Sequence, residues 1–255
     1  MYGRSKGRGK KNDITNDAIS IKVKKIDPLN YNIIDIGAGY GESTLVISKN
    51  DSSKQIIACE KFIDGINKIA EKSFLHSLNN ISIFHGNVHQ LLDEYCPYIS
   101  ISEIWILFPD PWPKKRHFKR RLINTNFFNK IRDFLKKDAT IHIASDSKSY
   151  ISDILLSIHQ VKKEFKWINQ NKNDWDYSNT PLPQTKYFQK ALKNGLNPIY
   201  LKLIKYWLEF SIYFNIGLEN VEIKEVGLPT FFLVEFSYGK TKNKSNKRRD
   251  VTSGK

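Results

Sequence analysis

Apolar residues in this chain gather in short blocks, and between the blocks they recur at every third or fourth position. The blocks at 33–36, 55–59, 81–84, 104–108 and 140–144 read as strands. Residues 42–49 read as a helix, and so do 64–78, where Ile66, Ile69, Phe74 and Leu78 keep helical spacing. A third helix is expected over 122–136, with Leu122, Phe127, Ile131, Phe134 and Leu135 on one face. A fourth carries Ile151, Ile154, Leu155, Ile158 and Val161. Two later apolar blocks, 165–168 and 199–204, read as strands separated by a polar loop through Pro181 and Pro183. Strands alternating with helices imply a parallel sheet covered on both faces. Two late strands without a clear helix between them imply an antiparallel end. The expected fold is therefore α/β: a seven-stranded, mostly parallel, Rossmann-like sheet with helices on both faces and an antiparallel last strand.

The same pattern divides the chain into a basic mobile arm at 1–30, a domain at 31–205 and an extension at 206–255. The extension holds a helix candidate at 207–216 and a hairpin-like pair at 221–226 and 230–238. No internal repeat is visible.

Composition narrows the class. At 255 residues and 40% hydrophobic, one α/β domain with a sizeable core is expected. No run of 18 apolar residues is present, so no spanning helix is expected, and the polar N-terminus does not read as a secretory signal. Cys59 and Cys96 are the only cysteines. They make neither a disulfide framework nor a metal site, and Cys59 in its apolar block reads as core filler. A reducing cytoplasm fits best, with a monomer or homodimer expected.

Charge adds a partner class. The net charge is +15. Residues 1–25 carry eight Lys/Arg against Asp13 and Asp17, and 240–255 carry seven against Asp250. Lys114, Lys115, Arg116, Lys119, Arg120 and Arg121 add six more within eight positions, and the rest of the chain is slightly acidic. Three basic patches on an otherwise ordinary globule are the footprint of phosphate neutralisation. Lys-rich tails also occur with no specific partner, so the central block is the stronger signal.

That block follows Phe108-Pro109-Asp110-Pro111-Trp112-Pro113. Three alternating prolines remove three backbone donors and exclude a helix interior or a central strand. Each proline also pushes its predecessor toward extended geometry, so a stiff, extended loop is expected. Asp110 then stands just past the carboxyl end of the 104–108 strand, where open α/β sheets place their ligands.

A second candidate site closes the first strand. Asp35-Ile36-Gly37-Ala38-Gly39-Tyr40-Gly41 permits a tight turn and close backbone approach to a ligand. The dinucleotide fingerprint needs glycine where Glu42 stands, which argues against a nicotinamide cofactor. Glu60 ends the second strand, where an acid accepts ribose hydroxyls. Asn87 follows the third, where an amide reads an adenine edge. A solvated strand-end charge explains Glu60 alone, but not three such features at successive strand ends.

Together these features look like the class I S-adenosylmethionine-dependent methyltransferases. The Phe-Pro-Asp-Pro-Trp-Pro-Lys-Lys-Arg-His…Lys-Arg-Arg run closely resembles the tRNA (guanine-N7)-methyltransferase family. The resemblance extends from about Arg4 to Ile204 and includes Gly7-Arg8-Gly9 in the arm and Ser145-Asp146 after the fifth strand. It implies methyl transfer from S-adenosylmethionine to N7 of a guanosine in tRNA, at position 46 of the variable loop. It implies cofactor contacts at Asp35, Gly37, Gly39, Gly41, Glu60, Asn87 and Asp110, with Asp110 also catalytic. Lys114, Asp146, Thr185, Lys186, Tyr187 and Phe188 match substrate-contacting positions. Phe188 departs from the family, which has Glu there, and Gln189 is the nearest polar replacement. The last fifty residues have no counterpart in the family.

N7 carries a free lone pair, so no proton need leave before attack, and the product ring gains positive charge. Alignment and a negative field are what catalysis requires. Asp110 is expected to accept from the guanine Watson–Crick edge, with Asp146 and Thr185 orienting the base. The six cations are expected to hold the backbone, with His117 among them as a phosphate contact, and to set a steep salt dependence. Trp112 reads as packed. Two other classes fit parts of the pattern. An exocyclic-amine methyltransferase carries an acid or amide before prolines after the same strand, but with two consecutive prolines before its aromatic. A non-catalytic RNA-binding module on the same fold is favoured only by Phe188.

Overall fold

The computed structural model describes residues 31–95, 100–180 and 182–206. The expected arm at 1–30, all of the extension beyond Tyr206, and Cys96 lie outside them. In chain order the elements are β1 (Ile33–Ile36), α1 (Glu42–Asn50), β2 (Ile56–Glu60), α2 (Ile63–Leu75), β3 (Ile81–His85), α3 (Val88–Tyr95) and β4 (Ile101–Leu107). A 3-10 helix (Lys115–Arg120), α4 (Thr125–Arg132), β5 (Leu135–Ser145), α5 (Lys148–Gln160) and β6 (Phe165–Trp167) follow. The chain then forms α6 (Lys172–Trp175), a 3-10 turn (Tyr177–Asn179), α7 (Lys186–Lys193) and β7 (Ile199–Lys205).

The seven strands form one sheet in the order β3-β2-β1-β4-β5-β7-β6. The first five pair in parallel, and β7 runs antiparallel between β5 and β6. Alternate residues of each strand serve opposite faces. Ile34, Ile57, Ile104 and Ile141 pack with Leu91, Phe127, Phe128 and Ile154 from α3, α4 and α5. Their neighbours Ile33, Ile56 and Trp105 join Ile47 of α1 and Phe188 of α7, while Ala58 meets Ile66 and Ile69 of α2. Burial on both faces is why the strands read as unbroken apolar blocks. Cys59 is buried core, as expected.

Four sequence-based expectations need correction. The helix expected over 122–136 is shorter. Asn124 caps it by accepting from the Phe127 amide (3.0 Å), and Leu135 already pairs with Ile101 as the start of β5. Sheet pairing overrides the apolar spacing there. Helix α3 has no counterpart among the expected elements. The polar loop expected between the last two strands contains α6 and α7. The loop expected over the basic block coils into a 3-10 helix.

Candidate active site

The sheet order reverses between β1 and β4, which are parallel neighbours with Asp35 opposite Trp105. The glycine turn after β1 and the proline run after β4 therefore share one crevice at the carboxyl edge, the switch point where such sheets bind ligands.

The turn is built by three left-handed residues, Gly37, Gly39 and Gly41, at φ 72, 58 and 76°. A side chain at Gly37 would meet nothing within 4 Å, so its side of the turn is open. Gly65 on α2 completes the turn from below: a Cβ there would come within 2.4 Å of the Gly39 carbonyl oxygen. Gly65 belongs to no motif of the sequence. Its isolated position in an otherwise regular helix was the available signal.

Glu60 is buried, and its carboxylate spans the turn. Oε2 accepts from the Gly39 amide (2.8 Å) and Oε1 from the Phe62 amide (2.7 Å). Each oxygen keeps a lone pair, so the fixed carboxylate can accept further hydrogen bonds. Asp35 is also buried, and its Oδ2 accepts from Ser43 Oγ and Thr44 Oγ1, both at 2.6 Å. Burial pushes its carboxyl above the usual range, and the two hydroxyls oppose that shift. These bonds tie the turn to the first turn of α1. Asn87 is exposed, and its Oδ1 accepts from the Gln90 amide (3.1 Å) while Gln90 Oε1 accepts from the Asn87 amide (2.9 Å). That reciprocal cap starts α3. It occupies the side-chain oxygen of Asn87, and the Nδ2 donor has no partner among the described residues.

The run after β4 is bent, not extended. Phe108 and Trp112, both followed by proline, sit at φ 54 and 42°. Bulky residues in the left-handed region cost roughly 1–3 kcal/mol each. The surroundings hold them there: the Phe108 amide donates to the Ala144 carbonyl (2.8 Å), and its ring lies 5.5 Å from Tyr177 and 6.4 Å from Tyr187. Arg120 sits 5.0 Å from the Trp112 ring, and His117 packs edge-on to it at 5.8 Å. Asp110, between these two strained residues, is exposed and makes no hydrogen bond or ion pair among the described residues.

The late segment converges on the same crevice. Thr185 caps α7 by accepting from the Phe188 amide (3.3 Å). The Lys186 amide donates to Glu42 Oε2 (2.6 Å), and its ammonium lies 3.6 Å from the Tyr40 ring centre. Burial lowers the Lys186 pKa. Tyr187 is 49% exposed, and burial, then the charges of Asp110, Glu60 and Glu42, raise its hydroxyl pKa. One phenol thus feels both the acid of the proline bend and the acid of the glycine turn. Asp146, half-buried, follows β5 directly.

Two assignments change. Phe188 is 2% exposed, with its ring 4.7 Å from Tyr177 in the core, so it cannot touch a substrate. Gln189 pairs with Gln184 (3.1 Å). Arg121 leaves the cationic surface: its residue is 3% exposed. Lys114, Lys115, Arg116, Lys119 and Arg120 remain exposed. Partial desolvation, and then the charges of Arg120, Arg116 and Lys114, lower the pKa of His117. Among the described residues no cluster of three or more His, Cys, Asp or Glu is placed to hold a metal, and no helix is long and apolar enough to cross a membrane.

Known proteins resemble the chain over this domain. A family model for methyltransferases, Methyltransf_4, matches residues 30–201. The tRNA (guanine-N(7)-)-methyltransferase of Chelativorans sp. (strain BNC1) is 31% identical over 178 residues, covering 70% of this chain and 76% of that protein. The protein of the same name from Nitrosomonas europaea is 36% identical over 165 residues, covering 64% and 71%. An rRNA methylase structure from Streptococcus thermophilus aligns with 76% of this chain and 95% of that one, at 15% identity and a TM-score of 0.46, which adds nothing to the topology described. The matched stretch contains the glycine turn, Glu60, the whole 108–121 run and Asp146, and the chain belongs to the tRNA (guanine-N7)-methyltransferase family.

Proposed function

We propose that this enzyme transfers a methyl group from S-adenosylmethionine to N7 of a guanosine in tRNA, at position 46 of the variable loop. The observation that carries the reading is Asp110: an exposed carboxylate without a protein partner among the described residues, on a strained bend between an open glycine turn and a cationic helix. The residues of the turn suit the donor. Gly37 leaves room for close approach, and Glu60, fixed by two amides, offers free lone pairs to ribose hydroxyls. Asn87 offers its Nδ2 to the adenine. Asp35 acts behind the turn, on its shape.

When bound, S-adenosylmethionine supplies a sulfonium methyl, which the N7 lone pair takes while the carbon–sulfur electrons return to sulfur. No proton leaves N7, so the chain needs no general base. The methylated ring is a cation, and Asp110 stabilises it by accepting from the N1–H and exocyclic amine of the guanine edge. Asp146 and the Thr185–Tyr187 stretch orient the base, with Tyr187 presenting its half-exposed ring. The five surface cations from Lys114 to Arg120 neutralise tRNA phosphates. The enzyme acts where tRNA resides, which makes the cytoplasm its place of work.

Labelled cofactor, bulk tRNA and nucleoside analysis test the reading together. N7-methylguanosine mapped to position 46 is expected. Methyl on an exocyclic amine, or no transfer despite cofactor binding, overturns it.

A further inference from the structure

Arg121 is the last of six cations in a short run, and the fold uses it differently from the other five. Its side chain is 2% exposed. Nε donates to the Pro111 carbonyl (2.8 Å), Nη1 to the Ser149 carbonyl (3.1 Å) and to Asp153, and Nη2 to Ser149 Oγ (3.0 Å). Its guanidinium also covers the Phe118 ring at 3.7 Å. A planar fork with several fixed donors and a stacking face is what this set of partners requires, and lysine cannot supply it.

Pro111 is the residue after Asp110, inside the bend bounded by Phe108 and Trp112 in left-handed backbone. Prolines on both sides of Asp110 leave that stretch short of backbone donors. The Pro111 carbonyl is therefore one of the few handles by which the fold can grip the bend, and Arg121 holds it, anchored to α5 through Ser149 and Asp153. We propose that Arg121 is a positioning residue for Asp110: it clamps the strained bend against α5 and takes no part in gripping tRNA. This rests on the reading of Asp110 as the group that stabilises the methylated base.

Arg121→Lys keeps the charge and breaks the fork. Its turnover is expected to fall roughly 10- to 100-fold, the scale of a small misplacement at a reacting centre. Its KM for tRNA and the salt slope of tRNA binding should stay as in the wild type. In an Asp110→Asn background the same change should cost little, because the group being positioned is already gone. A raised KM with a shallower salt slope would make Arg121 a phosphate ligand and overturn the proposal. Equal losses in both backgrounds would overturn it too, by showing that the clamp acts elsewhere. Full turnover by Asp110→Asn alone would overturn the reading of Asp110 and the clamp with it, whereas a slow Asp110→Asn beside equal Arg121→Lys losses would sink the clamp alone. Ser149→Ala covers the case in which Arg121→Lys does not fold. It removes one hydrogen bond to the guanidinium, and a severalfold lower kcat with an unchanged salt slope is expected. An unchanged kcat in that variant counts against the clamp.

Discussion

The backbone amide of Lys186 donates to the Glu42 carboxylate across 2.6 Å, joining residues 144 positions apart. Glu42 opens α1 directly after the glycine turn, and Lys186 opens α7 in the segment proposed to orient the base. One carboxylate therefore serves the amino ends of two helices, where negative charge is favourable. The bond also ties the glycine turn, proposed to hold the cofactor, to the segment proposed to orient the base, so its loss is expected to loosen both. Glu42→Ala is expected to lower stability by about 1 kcal/mol. It should raise KM severalfold for S-adenosylmethionine and for tRNA together. Steady-state kinetics with each substrate varied in turn gives both values, and a rise confined to one of them would show that the link carries no coupling.

Asp110 makes no bond to the described protein, so neutralising it should disturb the fold little. Asp110→Asn is expected to cut the single-turnover rate by about 10²–10³-fold, the usual loss when one preorganised electrostatic group is removed. Calorimetry should find cofactor affinity within a few-fold of the wild type, and thermal melting should be unchanged. Loss of cofactor binding in proportion to rate would move Asp110 from catalysis to donor binding.

Lys115 and Lys119 lie on the exposed 3-10 helix and make no ion pair among the described residues. Replacing both with Ala should weaken tRNA binding at low salt and reduce the log–log salt slope by about one for each phosphate no longer neutralised. Turnover at saturating tRNA should hold. Filter binding across a salt series measures the slope, and a slope equal to the wild type's would mean that the two side chains only face solvent.

Much of the sheet was legible because strands buried on both faces leave continuous apolar blocks, and β1 has the bounds its block predicts. The short helices were less visible. Only Phe188 and Ala191 of α7 are buried, too few to make a period, although Thr185 was a readable cap. Helix α3 had a signal as well, since Asn87 and Gln90 stand at capping-box spacing. Arg121 could not be told from its neighbours: a run of cations gives no hint which one folds inward. The bend at Phe108 and Trp112 ran against the local rule for residues before proline. Such conflicts concentrate where the surroundings dictate the backbone for function.

A second buried network lies on β4, β5 and β7, outside the proposed reaction. His142 Nε2 lies 3.1 Å from Glu103 Oε1, its Nδ1 is 2.7 Å from the Tyr200 hydroxyl, and its ring stacks on Trp105 at 4.4 Å. Burial raises the Tyr200 pKa, so that hydroxyl keeps its proton; a neutral His142 with its proton on Nε2 then donates to Glu103 and accepts at Nδ1 from Tyr200. Burial first, then the charges of Lys202 and Lys54, holds the imidazole below its ordinary value against the pull of Glu103. The unfolded chain takes up a proton near pH ~6.5, where the folded chain does not. Stability from this site is therefore full above about pH 6.5 and falls as the solution is acidified toward the folded pKa. The melting temperature should drop between about pH 7.5 and 5.5, and His142→Gln should shrink that drop. Equal drops in both proteins would place the acid sensitivity elsewhere.

Phe188 stands where relatives are expected to carry Glu, and restoring the acid looks at first like a route to higher activity. The fold argues the opposite. The ring packs on Tyr177 and belongs to a buried apolar cluster with Ile33, Ile47, Trp105 and Leu182. A carboxylate there would be buried without a partner, or protonated at the cost of a raised pKa. Phe188→Glu is expected to lose roughly 3–5 kcal/mol, the scale for an emptied aromatic site, before any charge penalty is added. Phe188→Leu should lose less, because its apolar volume is better kept. Denaturant melts of the two variants against wild type give the order, and methyl-transfer assays at low temperature show whether any folded Phe188→Glu turns over faster. A stable, faster Phe188→Glu would mean that the first turn of α7 rotates to bring this position into the crevice, and that the acid is a missing catalytic part after all.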